Sequence, residues 1–413
     1  MTMRTQGASF AIFLGALAAL PPIAIDMVLP ALGTMERDLG AAQGRAGLTL
    51  SVFMAGFAFS PIVYGPLADR KGRRPMLMVG LVLFVIGGFA ATIASSMPLL
   101  LAARLVQGAG AGAGMTIAMA IVRDLFKGRA AQTRLAVITI VANVAPILAP
   151  AIGAGLMIPI GWRGIYGVTA LCGLLLLLVV SLSLAETLRP TTGKLPPLVR
   201  KLMADYRTVL SHRGVVSHIV LNALGFGWMF AYVSGSSLLF MDVLGLSGGY
   251  YAGAFACTGA GIVIGAILNG RLATIGVRSQ ALLEAGVIAA TLAGLALTVL
   301  AVTDRISVLG VLPLLVIVTG AFGMVAPSAA HGALEPVPDQ AGVAGGVLTS
   351  LQMLSGALAS SLVSLLFPHF GVLAMTSIIS VLAILGLVLV ATMKSTLPTD
   401  ERPAPFLQPG STR

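Results

Sequence analysis

Apolar residues run through this chain in blocks of about twenty separated by short polar stretches, a spacing that sets the class of molecule before any motif is read. Twelve blocks can be marked, at about 9–31, 46–68, 75–95, 98–121, 135–158, 165–186, 214–241, 250–270, 279–302, 306–328, 341–367 and 371–393. Each is long enough to cross a hydrocarbon core of about 30 Å as a helix rising about 1.5 Å per residue. The expected fold class is therefore an all-α polytopic membrane protein with twelve transmembrane helices. Between the sixth and seventh blocks the pattern breaks into Arg189, Lys194, Arg200, Lys201, Arg207 and Arg213, with Pro190, Pro196 and Pro197. That break predicts a six-helix bundle over 1–188, a central loop over 189–213, a second six-helix bundle over 214–395 and a disordered tail over 396–413. Within the loop, Leu198, Leu202, Met203, Tyr206 and Leu210 recur near helical spacing against Arg200, Lys201 and Arg207. They fit either a short helix on the membrane surface or a solvated linker.

Composition agrees with this class: 57% of residues are hydrophobic and 9% charged, with a mean hydropathy of +1.01. The formal net charge of +11 sits in short loops, where it reads as a topology signal and not as a nucleic-acid surface. One set of alternate loops holds Arg70, Lys71, Arg73 and Arg74, then Arg123, Lys127, Arg129 and Arg134, then the central loop, then Arg271 and Arg278. The opposite set holds Arg37, Arg45, Arg163 and Arg305. The positive-inside rule then places both termini and the central loop on the cytoplasmic side, although the stretch from His331 to Asp339 has neither Lys nor Arg. Cys172 and Cys257 lie in separate apolar blocks and are expected to be buried free thiols. His212, His218, His331 and His369 are scattered, and no phosphate-binding loop or paired metal-ligand motif occurs, so no cofactor, metal or enzymatic activity is expected. A membrane-embedded transferase or a sensor is correspondingly disfavoured.

Two charges stand out inside the blocks. Asp26 lies in the first and Arg104 in the fourth, and an ionised side chain at the bilayer centre costs about 2.5–3.5 kcal/mol on insertion scales. Counting from opposite faces puts Asp26 about 24 Å and Arg104 about 21 Å from the same side, so the two are expected at similar depth and within reach of one another. A carboxylate poised between an opposite charge and a dry surround can take up and release a proton, the core of a proton-coupled transport cycle. In the alternative reading, Arg104 is a structural donor to helix carbonyls and Asp26 a helix-end residue facing water. Asn143, Asn222, Trp228, Tyr232 and Gln352 are candidates for lining a substrate cavity, or for hydrogen-bonding between helices. Glu186 and Glu284, near block ends, are expected to pair with loop arginines.

An internal repeat supports two halves: Gly65-Pro-Leu-Ala-Asp69-Arg70-Lys71-Gly72-Arg73-Arg74 follows the second block, and a shorter copy from Gly270 to Arg278 follows the eighth. Gly65 is read as permitting close helix approach and Gly72 as permitting a tight turn. The first copy resembles the loop motif of the major facilitator superfamily. Ile25 to Leu32, Ala103 to Gly112, Trp162-Arg163, Glu186-Thr187-Leu188, Phe230 to Ser237 and Leu334 to Gly342 resemble its drug:proton antiporters, particularly the bicyclomycin and chloramphenicol resistance branch. That resemblance implies a two-bundle fold with a cavity between helices 1, 4, 5, 7, 8, 10 and 11. It also implies a conformational latch built from Gly65, Asp69, Arg70, Gly72, Arg73 and Arg74, in which Arg73 or Arg74 pairs with Asp124. Asp69 would meet an arginine or the start of helix 11. Gln107 and Gly108 match the helix 4 motif; Pro150 and Gly153 match the helix 5 motif, with alanines at Ala149 and Ala154 where glycines are usual. The function implied is proton-coupled efflux of small, largely apolar drugs by a monomer whose partners are a small-molecule substrate, protons and the lipid bilayer. A metabolite exporter or a proton-coupled importer of the same fold is the alternative.

Overall fold

The computed structural model describes residues 8–188 and 198–395; the stretch 189–197 and the tail 396–413 lie outside it. Every described element is helical. The first crossing is α1 (Ala8–Asp26), a 3-10 turn at Leu29–Ala31 and α2 (Leu32–Asp38). The second is α3 (Leu48–Ala58) and α4 (Ser60–Lys71), followed by α5 (Arg73–Thr92) and α6 (Met97–Leu125). A single long helix, α7 (Gly128–Ser183), follows, then the short α8 (Leu198–Ser211) and α9 (Arg213–Ser237), which runs into a π-helical turn at Leu238–Val243. The chain then continues through α10 (Gly248–Thr274), α11 (Ser279–Val302), α12 (Val308–Leu334), α13 (Ala341–Phe370) and α14 (Val372–Ser395).

Eleven described stretches are long and apolar enough to cross a membrane, one fewer than the sequence predicts. The difference lies in α7, whose 56 residues would run about 84 Å if straight, far beyond one bilayer. Gly161, at φ 63° and ψ −177°, breaks it into two crossings, which restores twelve. The left-handed φ explains why glycine stands there.

Prolines shape the crossings by withholding N–H groups. Pro21 and Pro22 remove the donors that would hold the carbonyls of Leu17 and Ala18. The Leu17 carbonyl lies against Gly114 of α6, where a side chain would crowd it. Glycines of α6 mark successive contacts: Gly108 on the Phe53 backbone of α3, Gly110 on Gly80 and Phe84 of α5, Gly112 on Ser60 of α4. Ser60 Oγ donates to the Ala109 carbonyl at 2.9 Å across the same seam. The second half repeats the device six crossings later, with Gly323 of α12 on the Ile262 backbone and Gly265 of α10 on Gly320. Close backbone approach through small residues is how helices pack where lipid supplies no hydrophobic driving force between them.

In the first half α6 touches α1, α3, α4, α5 and α7; in the second, α12 touches α9, α10 and α11, while α14 touches α9 and α11. The halves meet where α13 packs on α3 and α4, and where α10 packs on α7. Their tightest apposition is on the face opposite the Gly65 to Arg74 loop. There Gly44 and Gly47 lie against Ser364, Ser360 Oγ donates to the Gly47 carbonyl at 3.4 Å, and Gly33 faces Asp242. Toward the loop face, α7 from Gly128 to Leu148 buries one residue, Ile138.

Large apolar side chains cover the outside: Ile86, Leu175, Leu292 and Val388 each expose more than half of their surface, which fits lipid and not water. Cys172 and Cys257 are on this exposed side, contrary to the expectation that they are buried. The central helix forms as one of the two sequence alternatives, with Val209 buried among Val215, Ile219, Ala333, Val337 and Ala344. Met203 and Leu210 point outward instead, 69% and 55% exposed.

Gly65 departs from expectation, because a side chain there would meet nothing within 4 Å. Gly65→Ala should therefore leave the thermal stability of the detergent-purified protein within about 0.5 kcal/mol of wild type. Gly108→Leu should abolish a monodisperse folded peak on size-exclusion chromatography. A folded Gly108→Leu protein would contradict the α3–α6 contact.

Candidate functional site

Three groups of residues matter: a buried cluster around Arg104, a charged cluster at the loop face, and Asp26 at the seam between halves. Arg104 is fully buried. Its Nη2 donates to the Ala24 carbonyl at 3.0 Å, its Nε to the Thr49 carbonyl at 3.3 Å and its Nη1 to Gln107 Oε1 at 2.6 Å. The guanidinium lies over the Phe53 ring at 4.3 Å and near that of Tyr166 at 5.2 Å. Gln107 passes the connection on, its Nε2 3.5 Å from Thr169 Oγ1. The Ala24 carbonyl needs this donor because α1 ends two residues later, leaving its last carbonyls without intrahelical partners.

This arrangement corrects the expected Asp26–Arg104 pair. The depth estimate holds, since Arg104 grips helix 1 two residues from Asp26, but the fork is spent on backbone and Gln107, and no ion pair joins the two. The structural-donor alternative is the one that fits Arg104. Asp26 is 5% exposed and has no hydrogen bond or ion pair among the described residues. It does not face water as a helix-end residue would. It sits where α1 gives way to the Leu29–Ala31 turn, a segment touched by α9 and α10 of the other half. The adjoining Met27 carbonyl lies against Gly153 of α7, where any side chain would collide, so the helix 5 motif residue makes room for helix 1. Pro150 is buried one turn earlier.

At the loop face Arg73 bridges two acids: Nη1 donates to Asp69 Oδ1 at 2.5 Å, Nε to Asp124 Oδ2 at 2.8 Å. Asp69 thus meets Arg73 and not helix 11. Arg74 goes elsewhere, donating to the carbonyls of Ser181 at 2.7 Å and Val180 at 3.5 Å in the last turn of α7. Arg70 adds its charge beside them. Glu186 does not pair with an arginine side chain; it accepts the backbone N–H groups of Arg73 at 2.9 Å and Arg74 at 3.2 Å, the opening residues of α5. It also accepts those of Thr187 and Leu188, both at 2.9 Å. A carboxylate on the positive end of a helix is favourable on both hydrogen-bond and dipole grounds. It also explains Gly72, whose φ is 104° and whose missing side chain would overlap the Glu186 carboxylate. Glu284, the other acid near a block end, accepts from Gln280 Nε2 at 3.3 Å.

The cavity candidates separate. Trp228 is buried inside the second half against Gly386 of α14, so it does not line a space between halves. Asn222 donates to the Ala326 carbonyl of α12 at 3.4 Å, and Tyr232 bonds Thr258 at 2.8 Å, so both hold helices together. Asn143 is exposed and Gln352 half-buried, leaving these two with accessible surface. A groove of about 750 Å³ between α9, α13 and α14 is lined by Leu354, Leu358, Leu362 and Val381 and takes no residue from the first half. Sequence reasoning missed Asp38, which accepts from Trp162 Nε1 at 2.8 Å and lies 3.6 Å from Arg163, tying the start of the sixth crossing to the end of the first. The Trp162-Arg163 pair was the available signal.

The family model described as Major Facilitator Superfamily matches residues 12–360. The chain belongs to the major facilitator superfamily. Multidrug resistance protein D of Escherichia coli (strain K12) is 31% identical over 89% of this chain and 91% of its own. A bicyclomycin resistance protein homolog of Haemophilus influenzae is 27% identical over 86% of this chain and 88% of its own. Among solved structures, a D-xylose–proton symporter superposes with a TM-score of 0.72 at 15% identity, covering 95% of this chain and 98% of its own, a likeness of fold. Membership makes this chain a multi-pass membrane transporter of small molecules and not an enzyme.

Two outcomes follow from the site's geometry. Arg104→Ala strands the Ala24 carbonyl and Gln107 Oε1, each worth about 1–3 kcal/mol when buried unpaired, so the melting temperature in detergent should drop sharply. Arg104→Lys, which keeps charge without the fork, should fall between the two. At the loop face, Gly72→Leu should impair transport more than Asp69→Asn at matched expression, because it displaces Glu186 and Asp69→Asn removes one arm of Arg73. Substrate binding should survive in both. Normal transport by Gly72→Leu would reduce the loop to a topology signal.

Proposed function

We propose that this transporter exports small, largely apolar compounds, drugs among them, in exchange for protons, and that Asp26 is the group that carries the proton. The observation that carries the reading is an acid buried in the first crossing with no partner in its own half, at the seam where the two halves meet. A carboxylate in that position changes charge with each proton, and charge at the seam alters how readily the halves stay together. The two relatives named for multidrug and bicyclomycin resistance support the substrate class. On this reading residues 1–188 and 214–395 are the moving bundles, Gly65 to Arg74 with Asp124 is a latch that gathers the helix ends of the first bundle, and Asn143 and Gln352 offer polar contacts to a substrate otherwise held by apolar surface.

The protein works as a monomer in the bacterial inner membrane, with both termini and the latch loop in the cytoplasm. The apposed face is then the outer one, and the conformation is the inward-facing member of an alternating-access pair.

The test is reconstitution into liposomes with an imposed pH gradient, screening amphenicols, bicyclomycin-like compounds and lipophilic cations. Asp26→Asn should retain downhill exchange while losing accumulation against a gradient, because a permanently neutral side chain transmits no proton energy. Full gradient-driven transport by Asp26→Asn would remove this carboxylate from the mechanism. Accumulation inside cells in place of export would favour an importer.

A further inference from the structure

Where the halves close on each other, the first half meets α13 through a loop, and one buried acid gives that loop its shape. The loop joins α2 to α3 over residues 39–47. Its sharpest positions are glycines with left-handed φ, Gly40 at 61° and Gly44 at 81°. Glu36 of α2, 6% exposed, reaches ten residues along the chain to accept the Ala46 N–H at 2.9 Å, and the Ala46 carbonyl accepts from Thr49 Oγ1 at 2.6 Å. Both backbone groups of Ala46 are thereby fixed.

The residues flanking Ala46 are the ones that touch the other half. A side chain on Gly44 would begin 2.9 Å from the Ser364 carbonyl, 3.6 Å from Pro368 and 3.7 Å from Phe367, and one on Gly47 would collide with the Ser364 hydroxyl. Ser360, one turn back along α13, donates to the Gly47 carbonyl at 3.4 Å, and the Gly47 N–H donates to the Gly44 carbonyl at 3.2 Å. The end of α13 is thus received by bare backbone, which fits it in one shape. The charged neighbours of Glu36 are turned to other partners. Arg37 donates to the Gly33 carbonyl at 3.4 Å and to Thr34 Oγ1 at 3.3 Å, Asp38 accepts from Trp162, and Asp242 of the second half lies over Gly33. No ion pair involves Glu36 among the described residues, so its carboxylate serves the loop. A hydrogen bond to an ionised acceptor is roughly twice as strong as a neutral one, which suits a single contact that must define a loop.

We propose that Glu36 is the positioning residue of this closure: by fixing Ala46 it holds Gly44 and Gly47 in the arrangement on which α13 seats, and so favours the state in which the outer face is shut. Glu36 touches no substrate. It acts on the balance of conformations, because the loop's shape matters only while α13 is seated. The inference rests on the alternating-access reading above and is independent of Asp26 as the proton site.

Closure is read from the distance between spin labels at Ser95→Cys, in the α5–α6 connection, and Thr303→Cys, after α11, both exposed on the outer face of opposite halves. The full-length protein is labelled with Cys172 and Cys257 replaced by serine and placed in liposomes, where pulsed dipolar spectroscopy should resolve a short and a long separation. Glu36→Met keeps length and burial but accepts nothing, and should raise the ratio of long to short by up to about tenfold, the ceiling set by one hydrogen bond to a charged group. Glu36→Gln keeps a carbonyl oxygen for the Ala46 N–H and should recover most of the closure. Gly44→Ala disturbs the same seat without touching Glu36 and should also open the outer face, and Glu36→Met should add little on top of it. An unmoved ratio in Glu36→Met, opening by Glu36→Gln as large as that by Glu36→Met, or a full further shift on the Gly44→Ala background would each overturn the proposal. One separation in every variant, at every pH and with every substrate, would overturn the alternating-access reading together with it. Closure governed by Glu36 alongside full gradient-driven transport by Asp26→Asn would uphold this inference and refute the coupling role of Asp26.

Discussion

Inside a bilayer there is no water to satisfy a guanidinium, so Arg104 must find every acceptor within the protein, and it finds them on two neighbouring crossings and its own. The packing of the first half depends on that constraint. The Ala24 carbonyl is free to accept because α1 stops at Asp26, while the Thr49 carbonyl, in the first turn of α3, offers its second lone pair. The same fork between the Phe53 and Tyr166 rings ties the fourth crossing to the first, second and sixth. Helix breaks, which would be liabilities in lipid, become acceptors for a charge that would otherwise be untenable. Each defect resolves the other.

The loop face applies the same logic with acids. Arg73 holds the end of α4 to the end of α6 through Asp69 and Asp124, while Arg74 and Glu186 hold the start of α5 to the end of α7 through backbone groups. Four crossings of one half are thereby gathered at their ends by charged side chains bonding to helix termini. Such contacts form or break as a set when helix ends shift, which suits a device that favours one arrangement of the halves over another.

What was legible in the sequence was what periodicity and the family motif encode: the apolar blocks and, through the resemblance, the pairing of Arg73 with Asp124. The missing information was directional. Depth placed Asp26 and Arg104 together correctly, but counting along helices gives no rotation about them, and rotation sends the fork to carbonyls. Trp228 and Asn222 are polar-tipped residues on a helix that is buried on nearly every side, so polarity alone did not say which neighbour they face. Gly65 matched its motif without any local packing to explain it, whereas Gly72 is explained by Glu186, a residue more than a hundred positions away. The fifth and sixth windows run together in α7 because a single glycine, Gly161, turns the chain between two helices with no loop to separate them.

Arg104 grips the end of α1 at Ala24, two residues from Asp26, yet the two charged residues meet the constraint in opposite ways. Arg104 cannot lose its charge at any physiological pH, so the protein surrounds it with acceptors and makes it structural. A carboxylate has a second option, which is to become neutral, and it therefore tolerates a site without donors. Because no residue of its own half satisfies Asp26, its preferred state is left to whatever the other half presents, and what that half presents changes when the bundles move. A fully partnered acid would stabilise the fold more and respond less. The absence of a partner for Asp26 within the first half is thus the feature that allows proton binding and conformational change to be linked at one residue.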